Sequence, residues 1–228
     1  MTFSFSSLYD KKWRMPLHLL TAAALPASAV LAFAVAPADR VLGESSRLIY
    51  VHVPLAFSAV LSFVLSGVFA ALYLSKGGAK REILFHSAAS LGTFFTVLTT
   101  VTGAVWAQIA WGTWWNWDPR ETSILFLLAV YAAYFALHSS ARKSGARLRA
   151  AYLLFAAAVM PFFVFAVPRL YLSLHPDTLL NAKKAVQLDA MMRAALFSSI
   201  AAYALLTVCL LDLSTRAART AKEKGVHR

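Results

Sequence analysis

The sequence predicts an all-α integral membrane protein with six transmembrane helices and both termini in the cytoplasm. Three observations lead to this fold class. First, 60% of the 228 residues are hydrophobic and 14% are charged, whereas soluble domains contain roughly 45–50% apolar residues. Second, six apolar stretches are long enough to cross a hydrocarbon core of about 30 Å. Third, the basic residues cluster between those stretches.

We place the six predicted spans near residues 16–36, 53–75, 83–106, 122–139, 150–167 and 193–213. Pro26 in the first span and Pro161 in the fifth predict kinks, because proline lacks the N–H that bonds the preceding turn. The third span is rich in threonine, serine and glycine, which favours close helix packing in lipid. We interpret the first span as a retained helix rather than a cleaved signal peptide. Residues 1–228 are therefore treated as a single transmembrane domain.

Lysine and arginine are distributed unequally between the two ends of the predicted helices. Of the 22 such residues, 15 lie in the N-terminal segment, the 76–82 and 140–149 loops and the C-terminal tail. Because cytoplasmic loops carry such an excess, we predict that this end, here called the inner end, faces the cytoplasm. The net charge of +12 follows the topology and forms no single basic face. It therefore indicates contact with membrane lipid and no nucleic-acid partner.

The most informative segment lies between the third and fourth spans, at the opposite or outer end. This segment, residues 106–122, is here called the tryptophan segment. It contains five of the six tryptophans: Trp106, Trp111, Trp114, Trp115 and Trp117. One interpretation is an aromatic belt, since tryptophan is enriched at membrane interfaces. Five tryptophans so close together are too dense for a belt, and they favour a wall for a flat, wide, apolar ligand.

Asp118-Pro119-Arg120-Glu121 predicts the start of the fourth helix. Asp118 is a favourable N-cap, Pro119 suits the first helical position, and Glu121 resembles the second half of a capping box. A direct ligand contact by Asp118, or both roles together, stays open. Arg120 is either an interfacial arginine whose stem lies along apolar surface or a bidentate partner for a ligand carboxylate.

Two histidines are predicted to share the outer end with the tryptophan segment. His52 precedes the second span, and His175 lies in the last outer loop. A lone histidine at such a position is usually structural. Two of them beside five tryptophans suggest a pair of axial ligands for haem iron. Arg47, five residues before His52, is a second candidate partner for a haem propionate.

The other histidines and the single cysteine predict less. We expect His18, His86 and His138 to be interfacial near the inner end and His227 to be solvated, although an inner-end haem site at His86 stays open. Cys209 lies in an apolar run, and the sequence contains no CxxCH motif. A haem linked to this chain through thioether bonds is therefore not expected.

The segment WGTWWNWDPRET at 111–122 resembles the WWD signature of the membrane proteins that handle haem in cytochrome c biogenesis. With six spans, RLIYVHVP at 47–54 and one histidine in each flanking outer loop, most of the chain is similar to the haem exporter protein C (CcmC) family. The resemblance implies that His52 and His175 ligate haem b. It also implies that the tryptophan segment, including Asp118, forms the platform and that Arg120 and Arg47 contact the propionates.

The resemblance further implies a role and a setting. Such proteins deliver haem to the periplasmic haem chaperone CcmE, in a complex with CcmD and the ATP-binding transporter subunits CcmA and CcmB. The expected location is the bacterial inner membrane, with the haem site facing the periplasm and no enzymatic activity in this chain. Two alternatives stay open. A b-type cytochrome that carries electrons would usually have histidine pairs within its helices, and a haem permease would often show internal repeats and charges at mid-membrane.

Overall fold

The computed structural model describes residues 11–140, 145–175 and 188–225. Several residues used in the sequence argument lie outside this part of the chain: Arg142, Lys143, Lys183, Lys184, His227 and Arg228. The α-helices are α1 (Lys11–Val30), α2 (Ile49–Lys76), α3 (Ala79–Trp111), α4 (Pro119–Ser140), α5 (Ala146–Pro161), α6 (Val167–Leu170) and α7 (Ala190–Glu223). A 3-10 turn, Glu44–Leu48, leads into α2.

Six helical stretches in the described residues are long and apolar enough to cross a membrane. They are Lys12–Val35, Glu44–Lys76, Ala79–Trp111, Pro119–Ser140, Ala146–Leu170 and Ala190–Glu223. The six predicted spans and the all-α fold class are therefore confirmed. The third span is longer than predicted, because α3 continues to Trp111. Residues 106–111, expected in an outer loop, lie instead in the last turns of α3.

Each of the two spans predicted to be distorted by proline contains a π-helical turn after that proline. Pro161 ends α5, and the turn Phe162–Ala166 joins it to α6. Pro26 lies inside α1, and the turn Leu31–Val35 extends that helix. A π turn changes the hydrogen-bond register where a helix has lost a regular bond. The fifth span ends at Leu170, shortly before His175 in the chain.

The core is centred on α2, which packs against α3, α5 and α7. The ring of Phe63 on α2 stacks on Tyr131 of α4 with centroids 3.7 Å apart. On α3, a Cβ added at Gly92 would lie 2.4 Å from the Phe63 ring. The small residue at this position therefore allows α2 and α3 to approach closely, as the composition of the third span predicted.

Ion pairs tie the inner end of the bundle together. Arg14 near the start of α1 contacts Asp212 on α7 at 3.3 Å. Arg149 on α5 is buried and contacts Glu82 on α3 at 2.6 Å. These contacts bring the described basic segments to one end of the bundle. The assignment of that end to the cytoplasm stays a prediction from the charge distribution.

Candidate functional site

A cavity of about 380 Å³ lies at the outer end, between α2, α3, α4, α6 and the start of α7. Seven of the ten predicted site residues line it: His52, Trp106, Trp111, Trp115, Asp118, Arg120 and His175. Below them, its wall is formed by mostly apolar side chains, including Ala56, Ile124 and Val164. The lining therefore combines many apolar side chains with a few polar and charged ones, which is typical of sites for large organic ligands.

The two predicted histidines meet at this cavity in an edge-to-face ring contact. The centroids of the His52 and His175 rings are 6.1 Å apart, with the ring planes at 66°. The Trp106 ring lies 5.9 Å from His175, and the Trp111 ring lies 5.1 Å from Trp106 in an edge-to-face contact. Two imidazoles and at least two indoles thus form one continuous aromatic surface.

A hydrogen bond to α3 orients His52. Its Nδ1 lies 3.0 Å from Oγ1 of Thr102. The Thr102 hydroxyl donates its own hydrogen to the carbonyl of Leu98 at 2.9 Å, so its oxygen accepts the hydrogen of Nδ1–H. In a neutral imidazole this leaves Nε2 without hydrogen and able to bind a metal.

The absence of a side chain at Gly103 on α3 makes room for the same ring. A Cβ added at Gly103 would lie 3.0 Å from Cε1 of His52, which is tighter than ordinary packing. Thr102 and Gly103 therefore hold the imidazole from one side. Sequence reasoning missed both residues, because their small and hydroxyl side chains fit the general pattern of a packing face.

Asp118 caps α4, as the sequence predicted. Its Oδ1 accepts a hydrogen bond from the backbone N–H of Arg120 at 2.9 Å. In return, Oε2 of Glu121 accepts from the backbone N–H of Asp118 at 3.3 Å and from that of Asn116 at 3.0 Å. These reciprocal bonds form a capping box that fixes the end of the tryptophan segment.

The same carboxylate holds the segment that carries His175. Asp118 is 6% exposed, and it accepts hydrogen bonds from the Ser173 hydroxyl at 2.9 Å and the Leu174 N–H at 2.8 Å. The Ser173 oxygen in turn accepts from the His175 N–H at 3.1 Å. Asp118 therefore positions His175 by joining its segment to the start of α4.

The remaining predicted residues lie away from the cavity wall. Trp114 and Trp117 are 60% and 69% exposed, and the Trp117 ring meets Trp115 edge-on at 5.8 Å. Arg47 donates through Nη1 to the carbonyls of Ala32 and Ala36 and through Nε to Glu44. In the described residues, the structure thus directs Arg47 toward the end of the first span rather than into the cavity.

The rim of the cavity also includes a carboxylate that sequence reasoning missed. Asp39 lies on the cavity wall and accepts hydrogen bonds from the backbone N–H groups of Val41 and Leu42 at 2.8 and 2.9 Å. These two donors hold the pKa of Asp39 below its ordinary value. With an anion at Asp39 and a cation at Arg120, the rim favours a ligand carboxylate on the Arg120 side.

The inner-end histidines form a separate pair. The rings of His86 and His138 stack with centroids 3.9 Å apart, and Nδ1 of His86 lies 2.8 Å from the Tyr134 hydroxyl oxygen. Neither histidine lines the outer-end cavity. The structure therefore brings His52 and His175 to the tryptophan segment and leaves this pair at the other end.

The fold and the cavity together define a polytopic membrane protein with a cavity lined by aromatic side chains at one end of its helical bundle. Comparison with known proteins is more specific. The chain belongs to the heme exporter protein C family, whose model matches residues 3–228. It is 31% identical to heme exporter protein C of Paracoccus denitrificans over 79% of this chain and 76% of the relative. It is 30% identical to the Escherichia coli K12 protein of the same name, over 90% and 83%.

Proposed function

We propose that this protein binds haem b in the outer-end cavity and delivers it to a periplasmic haem chaperone, CcmE, during c-type cytochrome biogenesis. The observation that carries the proposal is the pair of imidazoles, His52 and His175, whose rings meet beside Trp106 on the wall of one cavity. The name heme exporter protein C, which the relatives carry, agrees with haem as the cargo. The chain itself would hold and transfer haem without catalysing a reaction.

The spacing of the two rings fits a shared iron. Two imidazole–metal bonds of about 2 Å, each extended by a ring radius of roughly 1 Å, place opposed ring centroids about 6 Å apart. The observed separation is 6.1 Å. The hydrogen bond from Nδ1 of His52 to Thr102 supports iron binding through Nε2. In this proposal, the role of both His52 and His175 is to bind the haem iron.

The rest of the cavity suits the other parts of a haem molecule. Trp106, Trp111 and Trp115 supply broad apolar faces for the porphyrin, and the deep apolar wall suits its hydrocarbon edge. Arg120 on the rim would pair with a propionate. Arg47 is the weaker candidate for that role, because two of its hydrogen bonds go to carbonyls at the end of the first span and a third goes to Glu44.

Delivery requires that the ligand can leave. The end of α6 and the residues after it carry exposed apolar side chains at Leu170, Tyr171 and Leu172, shortly before His175. Such a surface beside the site would allow a chaperone to approach the haem. In this proposal the protein lies in the bacterial inner membrane with the cavity facing the periplasm, and CcmD, CcmA and CcmB complete the complex.

The test is an absorption spectrum of the purified full-length protein titrated with haem. We expect low-spin bands in the wild type, and we expect His52→Ala and His175→Ala each to shift or weaken them. His86→Ala, at the inner end, is the matched control and should leave the bands unchanged. Unaltered bands after replacement of both His52 and His175 would refute this site.

Delivery needs a second measurement. Mixing the haem-loaded protein with the purified periplasmic chaperone should move the absorbance to the chaperone, and the two should separate on affinity resin. An electron-carrying cytochrome would instead be oxidised and reduced repeatedly while it retained its haem. Retention in the presence of the chaperone would therefore exclude transfer, even if the histidines ligate iron.

A further inference from the structure

A second cleft lies at the inner end of the bundle, where the start of α1 meets the end of α7. It has a volume of about 300 Å³ and is lined by Arg14, Arg216, Arg219, Thr220 and Glu223. Three guanidinium groups and one hydroxyl thus converge on a space that contains a single carboxylate. This residue set has no part in the outer-end cavity.

The described ion pairs around the cleft differ in strength. Asp212, 15% exposed, receives Arg14 Nε on Oδ1 at 3.3 Å, whereas Arg216 Nη1 stays 3.7 Å from Oδ2, beyond hydrogen-bonding distance. Arg219 pairs with Glu223 at 2.8 Å, but both side chains are well exposed, so water weakens the pair. An anion in the cleft would therefore gain from several guanidinium groups at once.

The position of the cleft indicates where such an anion comes from. Arg14 lies near the start of the first span, which begins at Lys12. Exposed apolar side chains lie on α1 and α7 near these arginines in the chain, including Trp13, Leu20 and Leu213. A ligand with a phosphate head and hydrocarbon chains can satisfy the arginines and lie along these side chains. Anionic phospholipids of the inner leaflet have this chemistry.

We propose that this cleft binds the phosphate headgroup of an anionic phospholipid, and that the lipid fixes α1 against α7. The first span has the smallest share of buried residues among the six spans, and α7 is its main packing partner. A phosphodiester shared by Arg14, Arg216 and Arg219 would therefore strengthen the main helix–helix contact of α1 in the described residues.

The test is lipid binding to the delipidated full-length protein in detergent, measured by native mass spectrometry and by the unfolding temperature. Phosphatidylglycerol should bind and raise the unfolding temperature more than phosphatidylcholine does. Arg216→Gln combined with Arg219→Gln should weaken phosphatidylglycerol binding by about tenfold or more, since two charge-assisted contacts are lost. This variant retains the Arg14–Asp212 pair, so α1 should still pack on α7.

The control removes two positive charges from the same end but outside the cleft. Lys76 ends α2 and Arg147 lies in the first turn of α5, and both are exposed. Lys76→Gln combined with Arg147→Gln should leave lipid binding unchanged. Arg219→Gln alone, at a well-exposed position, is the second variant if the double replacement unfolds.

Three results would overturn the proposal. Equal effects of phosphatidylglycerol and phosphatidylcholine would mean that the headgroup charge is not recognised. Equal weakening by the cleft and control variants would show a general attraction to the basic end. A full effect of inorganic phosphate at the same concentration would reassign the cleft to a soluble anion.

Discussion

The hydrogen bond between His52 and Thr102 offers the sharpest test of the proposed haem site. In the wild type, Nδ1 of His52 lies 3.0 Å from the Thr102 hydroxyl oxygen. Thr102→Val replaces that hydroxyl by a methyl group of similar size and leaves Nδ1–H without its acceptor. Loss of a buried partner costs about 1–3 kcal/mol, and changes behind a metal ligand typically weaken binding by roughly 10–100-fold. We therefore expect haem affinity to fall by about tenfold or more.

Two variants separate this effect from a general loss of polarity. Thr102→Ser keeps the acceptor and should retain most of the affinity. Thr100 also lines the cavity, and its hydroxyl bonds to the Thr96 carbonyl at 2.9 Å. Thr100→Val therefore removes a hydroxyl from the same helix and the same wall without touching His52, and we expect it to bind haem nearly as well as the wild type.

The assay is a haem titration followed by absorbance, combined with nitrogen NMR of histidine-labelled protein without haem. In the wild type, His52 should carry its hydrogen on Nδ1, and Thr102→Val should populate the other tautomer. The reasoning fails if Thr102→Val and Thr100→Val bind haem equally well. It also fails if the His52 tautomer in the haem-free protein does not depend on Thr102. Neither result would refute axial ligation by His52, which the His52→Ala variant tests separately.

Three further predictions follow from the geometry. Asp118→Ala should lower haem affinity by about tenfold, because the segment that carries His175 loses two hydrogen bonds to the carboxylate. Asp118→Glu keeps the charge but lengthens the side chain, so wild-type affinity in that variant would show that the position of the carboxylate is unimportant. A haem titration measures both variants. Arg120→Gln should weaken haem binding by roughly 3–30-fold without shifting the absorption bands, since a propionate contact leaves the axial ligands unchanged; a spectral shift would contradict that role. Gly92→Leu should lower the unfolding temperature measured by light scattering, because the Phe63 ring occupies the added volume, and an unchanged temperature would contradict the packing argument.

Features that depend on local composition could be predicted from the sequence. The six spans follow from apolar stretches whose length must match the membrane, and they are confirmed. The cap of α4 follows from Asp118 and Glu121, which lie within one turn of each other. In both cases the interacting groups are neighbours in the chain or interact with the surrounding lipid, so no tertiary contact is needed.

Features that depend on packing between distant segments could not be predicted. The contact of Thr102 with His52 requires the relative rotation of α2 and α3, and hydroxyl residues occur all along α3. The orientation of each tryptophan side chain could not be predicted from the sequence either. Trp106 belongs to a helix, whereas Trp117 has a left-handed backbone with φ of 61°, which side chains rarely adopt and which no local pattern indicated.

The two histidines are held in physically different ways, and this difference bears on how a tightly bound haem could be released. His52 lies on α2, and its ring rests against Thr102 and Gly103 of α3, so moving it would require two long packed helices to separate. His175 lies in an irregular segment that hydrogen bonds from Ser173 and Leu174 to the Asp118 carboxylate join to the start of α4. A few hydrogen bonds cost far less to break than a helix interface. A chaperone that engages the exposed segment before His175 would therefore displace that ligand first, while His52 keeps the haem oriented until it is transferred.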